Sequence, residues 1–209
     1  MFGWRRLRRA RAAHLFVVNL RIVLGFAFLP AGLKKVLGQP FTDPDVVGVF
    51  HDFLRAFHAT GGFYRFVGAV QIAVALLLMT QRFASLGALL ALVLFTAIAA
   101  LCWSTGAWFT AVMVTLMMAA AGLLLAWDPA AWWGLLRRVP PPEAPTETRV
   151  DEALWARAGA AVAAGYGLSS ALLGGVYRPR GFEPTSLGFW VLPALLVIPL
   201  ATWWLERRR

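Results

Sequence analysis

The feature that most constrains this chain is a series of six long apolar runs separated by short charged joints. The runs cover residues 12–33, 63–79, 83–103, 108–127, 154–177 and 187–205. Each is close to the ~20 apolar residues that an α-helix needs to cross the hydrocarbon core of a bilayer. In addition, 60% of all residues are hydrophobic, which exceeds the about 45–50% of a soluble domain. The sequence therefore predicts an all-α transmembrane protein with six spans.

The joints divide the chain into three predicted parts. Residues 1–128 form a four-helix membrane bundle, residues 129–152 form a proline-rich cytoplasmic linker, and residues 153–209 form a transmembrane hairpin of two helices. Within the first part, residues 41–60 place apolar and charged side chains on opposite sides of a helix. This pattern is typical of an amphipathic helix in the membrane interface, and we expect the helix to begin at Asp43 and Pro44.

Lysine and arginine residues predict how the spans are oriented. Of the 20 basic residues, thirteen lie in joints and tails on the same side as the N-terminus, and six lie on the other side. Because basic residues accumulate in cytoplasmic segments, both termini are predicted to be cytoplasmic. This distribution also accounts for the net charge of +10, so we expect no nucleic-acid partner.

The remaining basic residue, Arg21, lies inside the first span, about 13 Å from its cytoplasmic end at ~1.5 Å per residue. Gln71 lies about 12 Å from the end of the second span that is predicted to lie on the other side of the membrane, at the same rise per residue. A charged side chain at the centre of a membrane costs roughly 2.5–3.5 kcal/mol, so it usually faces a partner or a wet cavity. We therefore predict a hydrogen bond between Arg21 and Gln71 near the midplane, joined by Asn19. This group would either tie two helices together or bind a polar ligand.

Small residues recur at every fourth position along the fifth span. They are Gly159, Ala163, Gly167, Ala171 and Gly175. Small side chains at this spacing let two helix backbones approach closely. The pattern predicts a helix-packing face, which would be used either within the chain or between chains.

Candidate ligands for metals and cofactors are few. His51 and His58 could share a face of the interfacial helix, but a metal site usually needs three or four ligands. A membrane haem needs axial ligands at one level, whereas His14 lies at the other end of the first span. The single cysteine, Cys102, leaves no internal disulfide or cysteine cluster. We therefore expect no metal site and no evident cofactor.

Several short motifs in residues 14–128 resemble the DoxX-like family of small bacterial integral membrane proteins. The motifs are Arg21-x-x-x-Gly25, Gly32-x-x-Lys35, Gly68-x-x-Gln71, Gln81-Arg82-Phe83 with Gly87, and Trp127-Asp128. The resemblance implies a four-span body in the bacterial inner (cytoplasmic) membrane, to which the C-terminal hairpin is an addition. Some members of the family are similar to membrane subunits of quinone-linked oxidoreductases. Many relatives carry glutamate where this chain has Gln71, so a role that needs a negative charge there is not implied.

Three functions are compatible with this sequence. The first is an accessory or structural subunit of a larger, redox-linked membrane complex, which would pack against the lipid bilayer, other membrane subunits or further copies of itself. It is favoured because no complete catalytic motif is present, so no enzyme activity is assigned to the isolated chain. The second is a quinone-reactive subunit in which Arg21 and Gln71 hold a quinone carbonyl. The third is a small-solute transporter, which we rank last because Pro30, Pro193 and Pro199 do not mark matching broken helices.

Overall fold

A computed structural model describes residues 10–128, 150–176 and 184–208, and these ranges contain seven α-helices and no strand. The helices are α1 (Arg11–Val36), α2 (Val49–Ala59), α3 (Gly62–Met79), α4 (Ala84–Ser104), α5 (Trp108–Trp127), α6 (Glu152–Leu172) and α7 (Leu187–Arg208). Five of them, α1, α3, α4, α5 and α7, are long and apolar enough to cross a membrane. The prediction of an all-α, multi-pass membrane protein is therefore confirmed.

Helix α6 differs from the other long helices in composition. It has 21 residues, but it carries Glu152 and Arg157 and is not among the five apolar helices. A sixth span and the cytoplasmic placement of the termini therefore stay predictions. Most of the predicted linker, residues 129–149, lies outside the described residues, as do residues 1–9, 177–183 and 209.

Helices α1 and α3 pack against each other more extensively than any other pair in the described chain. They can approach closely because glycines face each other. A Cβ atom at Gly32 would lie 2.9 Å from the Gly68 carbonyl oxygen, and one at Gly68 would lie 2.8 Å from the Gly32 carbonyl oxygen. About two turns further along, a Cβ atom at Gly25 would lie 2.9 Å from the carbonyl oxygen of Ala75. The glycines therefore fix how far α1 is displaced along α3.

Helices α4 and α5 form a second antiparallel pair beside the first. The aromatic rings of Phe28 in α1 and Phe95 in α4 stack with centroids 4.5 Å apart. At the joint between α4 and α5, Trp103 Nε1 donates a hydrogen bond of 3.0 Å to Thr115 Oγ1. Stacked rings and paired polar groups of this kind contribute roughly 0.5–1.5 kcal/mol each. Together with the contact of α1 on α5, they close the four-helix bundle.

The C-terminal hairpin docks on this bundle. Helix α6 packs against α1, α3 and α7, whereas α7 contacts mainly α6. The Tyr166 ring of α6 is buried and meets Phe26 of α1 edge-on, with centroids 5.3 Å apart. Arg11 at the start of α1 donates hydrogen bonds to the backbone carbonyl oxygen and the carboxylate of Glu206 near the end of α7, with an Nη2–Oε1 distance of 3.4 Å. The backbone N–H of Asp151 donates to the same Oε1 at 3.2 Å.

These contacts define two ends of the molecule. We call the end that holds the start of α1 and the end of α7 the Arg11 end, and the opposite end the Lys35 end. The long helices run alternately between the two, so the start of α1 and the end of α7 lie together at the Arg11 end. The side of the membrane on which the termini lie stays a prediction.

The interfacial helix is shorter than the sequence predicts. Helix α2 begins at Val49 rather than near Asp43, because Gly48 has φ 132° and a helix cannot continue through that conformation. Its single buried side chain is Leu54, while Phe53 and Val49 are exposed. The Phe57 ring packs against Tyr64 of α3, with centroids 5.0 Å apart. Helix α2 therefore rests on the Lys35 end with part of its apolar face uncovered.

Candidate functional site

Arg21, the first predicted site residue, is part of a polar tie at the Arg11 end. Its Nη1 donates a hydrogen bond of 3.2 Å to Oε1 of Gln81, which lies in the joint between α3 and α4. Gln81 is buried, and its Nε2 donates back to the carbonyl oxygens of Val18 at 3.4 Å and Met79 at 3.5 Å. Gln81 also has φ 62°, a left-handed conformation that is uncommon for a residue other than glycine. The joint is therefore held against α1 by side-chain hydrogen bonds.

The predicted hydrogen bond between Arg21 and Gln71 is wrong. Gln71 is buried, and its Oε1 has no hydrogen-bond partner within the described residues. The glycine contacts place Gln71 level with Gly32, and Arg21 lies about 16 Å away from that level along α1, at ~1.5 Å per residue. The prediction failed because it measured depth from the ends of each apolar run. Helix α1 has 26 residues and α3 only 18, so α1 extends beyond the end of α3.

Asn19 does not join the two residues either. Its Nδ2 donates a hydrogen bond of 2.8 Å to the carbonyl oxygen of Leu15 within α1. The acidic side chains that interact electrostatically with Arg21 are Glu152 and Asp128, and Asp128 Oδ2 accepts a hydrogen bond of 2.8 Å from Ser85. The polar groups around Arg21 therefore belong to five different segments of the chain and tie their ends together. This arrangement favours the structural interpretation of Arg21 over a ligand site.

The predicted small-residue face of α6 divides into two parts. A Cβ atom at Gly159 would lie only 1.9 Å from the carbonyl oxygen of Met79, so this glycine lets α6 touch the end of α3. Ala163 is half-buried against the core. In contrast, nothing lies within 4 Å of a Cβ atom at Gly167, and Ala171 is exposed. Gly175 lies beyond the end of α6 and is equally open.

A second polar group lies at the Lys35 end. The Lys35 side chain is buried, its Nζ donates a hydrogen bond of 3.2 Å to the carbonyl oxygen of Ala31, and it lies 4.2 Å from the centre of the Phe41 ring. The Tyr64 hydroxyl donates a hydrogen bond of 2.8 Å to the carbonyl oxygen of Gln39. An ammonium group over an aromatic face is stabilised by the negative charge density of the ring. Lys35 and Tyr64 therefore fasten the segment after α1 onto the start of α3.

The two histidines of α2 have different partners. His58 Nε2 forms a hydrogen bond of 3.0 Å with the carbonyl oxygen of Gly38. His51 Nδ1 forms a short hydrogen bond with Thr42 Oγ1. Each histidine thus holds a different part of the segment that connects α1 to α2. Within the described residues, no three His, Cys, Asp or Glu side chains come together in a group that could bind a metal ion.

A cavity of about 350 Å³ opens beside His51. It lies between the start of α2, the segment before it and the joint that leads into α5. Four aromatic side chains line it: Phe41, Phe50, Trp108 and Phe109. Sequence reasoning missed this cavity because its walls come from three separate segments. The consecutive aromatic residues Trp108 and Phe109, directly after a short joint, are the signal that could have indicated it.

Comparison of the chain with protein-family models, curated proteins and solved structures finds no match. The resemblance to the DoxX-like family therefore stays a prediction based on its short motifs. Three of those motifs nevertheless have a structural role in this chain. Gly25, Gly32 and Gly68 are positions at which α1 and α3 approach closely.

Proposed function

We propose that this chain is an accessory, structural subunit of a larger assembly in the bacterial inner membrane. The observation that supports the proposal is the open part of the small-residue face on α6. Ala171 is exposed there, and Gly167 has free space on its side of the helix. The neighbouring residues Ala160 and Ala164 are exposed as well. Lipid tails are as apolar as leucine, so helices associate in membranes mainly by close packing at small residues. This open face is suited to another transmembrane helix.

The composition of α6 supports the same assignment. The helix is less apolar than the five helices that qualify as membrane spans, and Arg157 on it is exposed. A second helix packed on α6 would cover the small-residue face.

The proposed orientation places the Arg11 end in the cytoplasm. Besides Arg21, the described basic residues at this end are Arg11, Arg82, Arg157, Arg207 and Arg208. Two of them lie over indole rings, with Arg207 3.8 Å from the centre of Trp203 and Arg208 3.3 Å from that of Trp204. Arginine and tryptophan together are typical of the headgroup region on the cytoplasmic side. A redox-linked complex is the setting that the DoxX-like resemblance favours.

The quinone-reactive alternative is not retained in its original form. It required Arg21 and Gln71 to hold one quinone carbonyl, and these residues lie at different levels of the bundle. Arg21 is instead bonded to Gln81.

The proposal is tested by purifying the tagged full chain in mild detergent and measuring the mass of the complex by light scattering. We expect a stoichiometric partner or a defined homo-oligomer with the wild-type chain. Gly167→Leu should release the partner, because a leucine side chain fills the open face. Gly122→Leu in α5 is the matched control, since a Cβ atom at Gly122 also has nothing within 4 Å. A wild-type chain that is monomeric in native lipid, or a Gly167→Leu complex of unchanged mass, would contradict the proposal.

A further inference from the structure

The cavity beside His51 has the size and lining of a small-molecule site. Its volume of about 350 Å³ falls at the lower end of the about 300–1,000 Å³ that is typical of ligand pockets. Four of its nine lining residues are phenylalanine or tryptophan, and polar groups are supplied by Thr42, His51 and Thr110. Planar aromatic walls suit a flat ring, because offset-stacked and edge-on ring contacts are favourable.

His51 is the polar group best placed to recognise a ligand. Its Nδ1 is hydrogen-bonded to Thr42, and within the described part of the chain its Nε2 makes no hydrogen bond. Because the Thr42 hydroxyl can either donate or accept, it can hold the His51 ring in either tautomer. Nε2 can therefore donate to a carbonyl oxygen or accept from a hydroxyl group.

The charge of the lining favours a neutral ligand. Apart from His51, none of the described residues that line the cavity carries an ionisable side chain. The Nζ of Lys35 lies over the ring of the lining residue Phe41 and is bonded to the Ala31 carbonyl oxygen. Moving an ionised group out of water without a charged partner costs far more than moving a hydroxyl group that finds a hydrogen bond.

We propose that this cavity binds a neutral ring molecule that bears a hydroxyl or carbonyl oxygen. The ring lies between the aromatic side chains, and its oxygen bonds to Nε2 of His51. Such a molecule could arrive from water as a small phenol, or from the membrane as the ring headgroup of a long-chain lipid. The site lies at the Lys35 end and does not involve α6, so it is independent of the proposed assembly role.

The test uses the full chain in nanodiscs, with ¹⁵N-labelled histidine and 4-methylphenol as the probe. The chain has only three histidines, and their imidazole signals are assigned by substitution. We expect the signals of His51 to move on titration while those of His14 and His58 stay in place. Toluene, which has the ring but no oxygen, should bind more weakly and leave the His51 signals unchanged.

Two variants and one control separate recognition from folding. His51→Leu should weaken 4-methylphenol binding about tenfold, which corresponds to the loss of one good hydrogen bond. His58→Leu is the matched control on the same helix and should bind as the wild type does, because His58 does not line the cavity. Phe109→Ala should also weaken binding, and it is suited to the test because Phe109 is 80% exposed and not needed for the core.

A long-chain probe identifies the source of the natural ligand. If 4-dodecylphenol binds more tightly than 4-methylphenol after correction for its partition into lipid, the ligand comes from the membrane. Equal corrected affinities indicate a ligand from water, and either result keeps the ring-and-oxygen chemistry. The proposal is overturned if the His51 signals stay still at saturating phenol, or if His51→Leu and Phe109→Ala both bind as the wild type does.

Discussion

The contact between α6 and α3 leads to a specific prediction about the free energy of unfolding. In Gly159→Ala, the new Cβ atom would lie 1.9 Å from the Met79 carbonyl oxygen and 2.6 Å from its carbonyl carbon. A carbon atom normally stays about 3.3 Å or more from a carbonyl oxygen, so α6 must withdraw by roughly 1.4 Å. Both contacting atoms belong to the backbone and cannot rotate away. Overpacking of this kind costs about 1–3 kcal/mol.

Comparison with Gly167→Ala on the same helix isolates the free-energy cost of this overpacking. Both variants gain the same helix propensity, about 0.5–1 kcal/mol when alanine replaces glycine, but the new methyl group at position 167 meets nothing within 4 Å. We therefore expect Gly159→Ala to be less stable than Gly167→Ala by about 1–3 kcal/mol. The assay is reversible unfolding in mixed micelles of dodecyl maltoside and SDS, followed by circular dichroism. Equal unfolding free energies for the two variants would refute the docking of α6 on the end of α3.

Three further predictions use the same assay. Glu206→Ala should lower the free energy of unfolding by about 1–3 kcal/mol, because it leaves the Asp151 N–H without its acceptor. Glu206→Gln should recover most of that loss, and an equal loss in both variants would contradict this role of Glu206. Gln71→Leu should leave stability unchanged or raise it by about 1 kcal/mol, since the buried Oε1 has no partner in the described chain; a clear loss would point to an unseen partner. Gly68→Ala should cost about 1–3 kcal/mol through its clash with α1, whereas Gly122→Ala should not destabilise the protein.

The helices themselves could be predicted from the sequence to within a few residues. The run 108–127 coincides with α5, and the run 63–79 differs from α3 by one residue. This success has a simple cause, because the thickness of the bilayer fixes the length of each apolar run. The interfacial helix was less well predicted. Its start depends on the backbone conformation of Gly48, which a pattern of apolar side chains does not reveal.

The contacts between helices were harder to predict. The similar depths of Arg21 and Gln71, counted from the ends of their apolar runs, suggested that these two side chains meet. In the structure, however, the position of α1 along α3 is set by the close approach of Gly32 and Gly68. Arg21 bonds instead to Gln81, which the sequence showed only as part of a short joint. The cavity beside His51 was missed for a related reason. It forms where three segments converge, and that convergence depends on helix packing rather than on any one pattern.

The central claim is that this chain crosses the membrane several times, with the start of α1 and the end of α7 on the cytoplasmic side. It is tested most directly by labelling single cysteines with a membrane-impermeant maleimide in intact spheroplasts, using a Cys102→Ala background. We expect Val47→Cys and Thr60→Cys to react from outside, and Ala10→Cys and Arg207→Cys to react only after the membrane is permeabilised. Labelling of Ala10→Cys and Arg207→Cys from opposite sides of the membrane would contradict the claim.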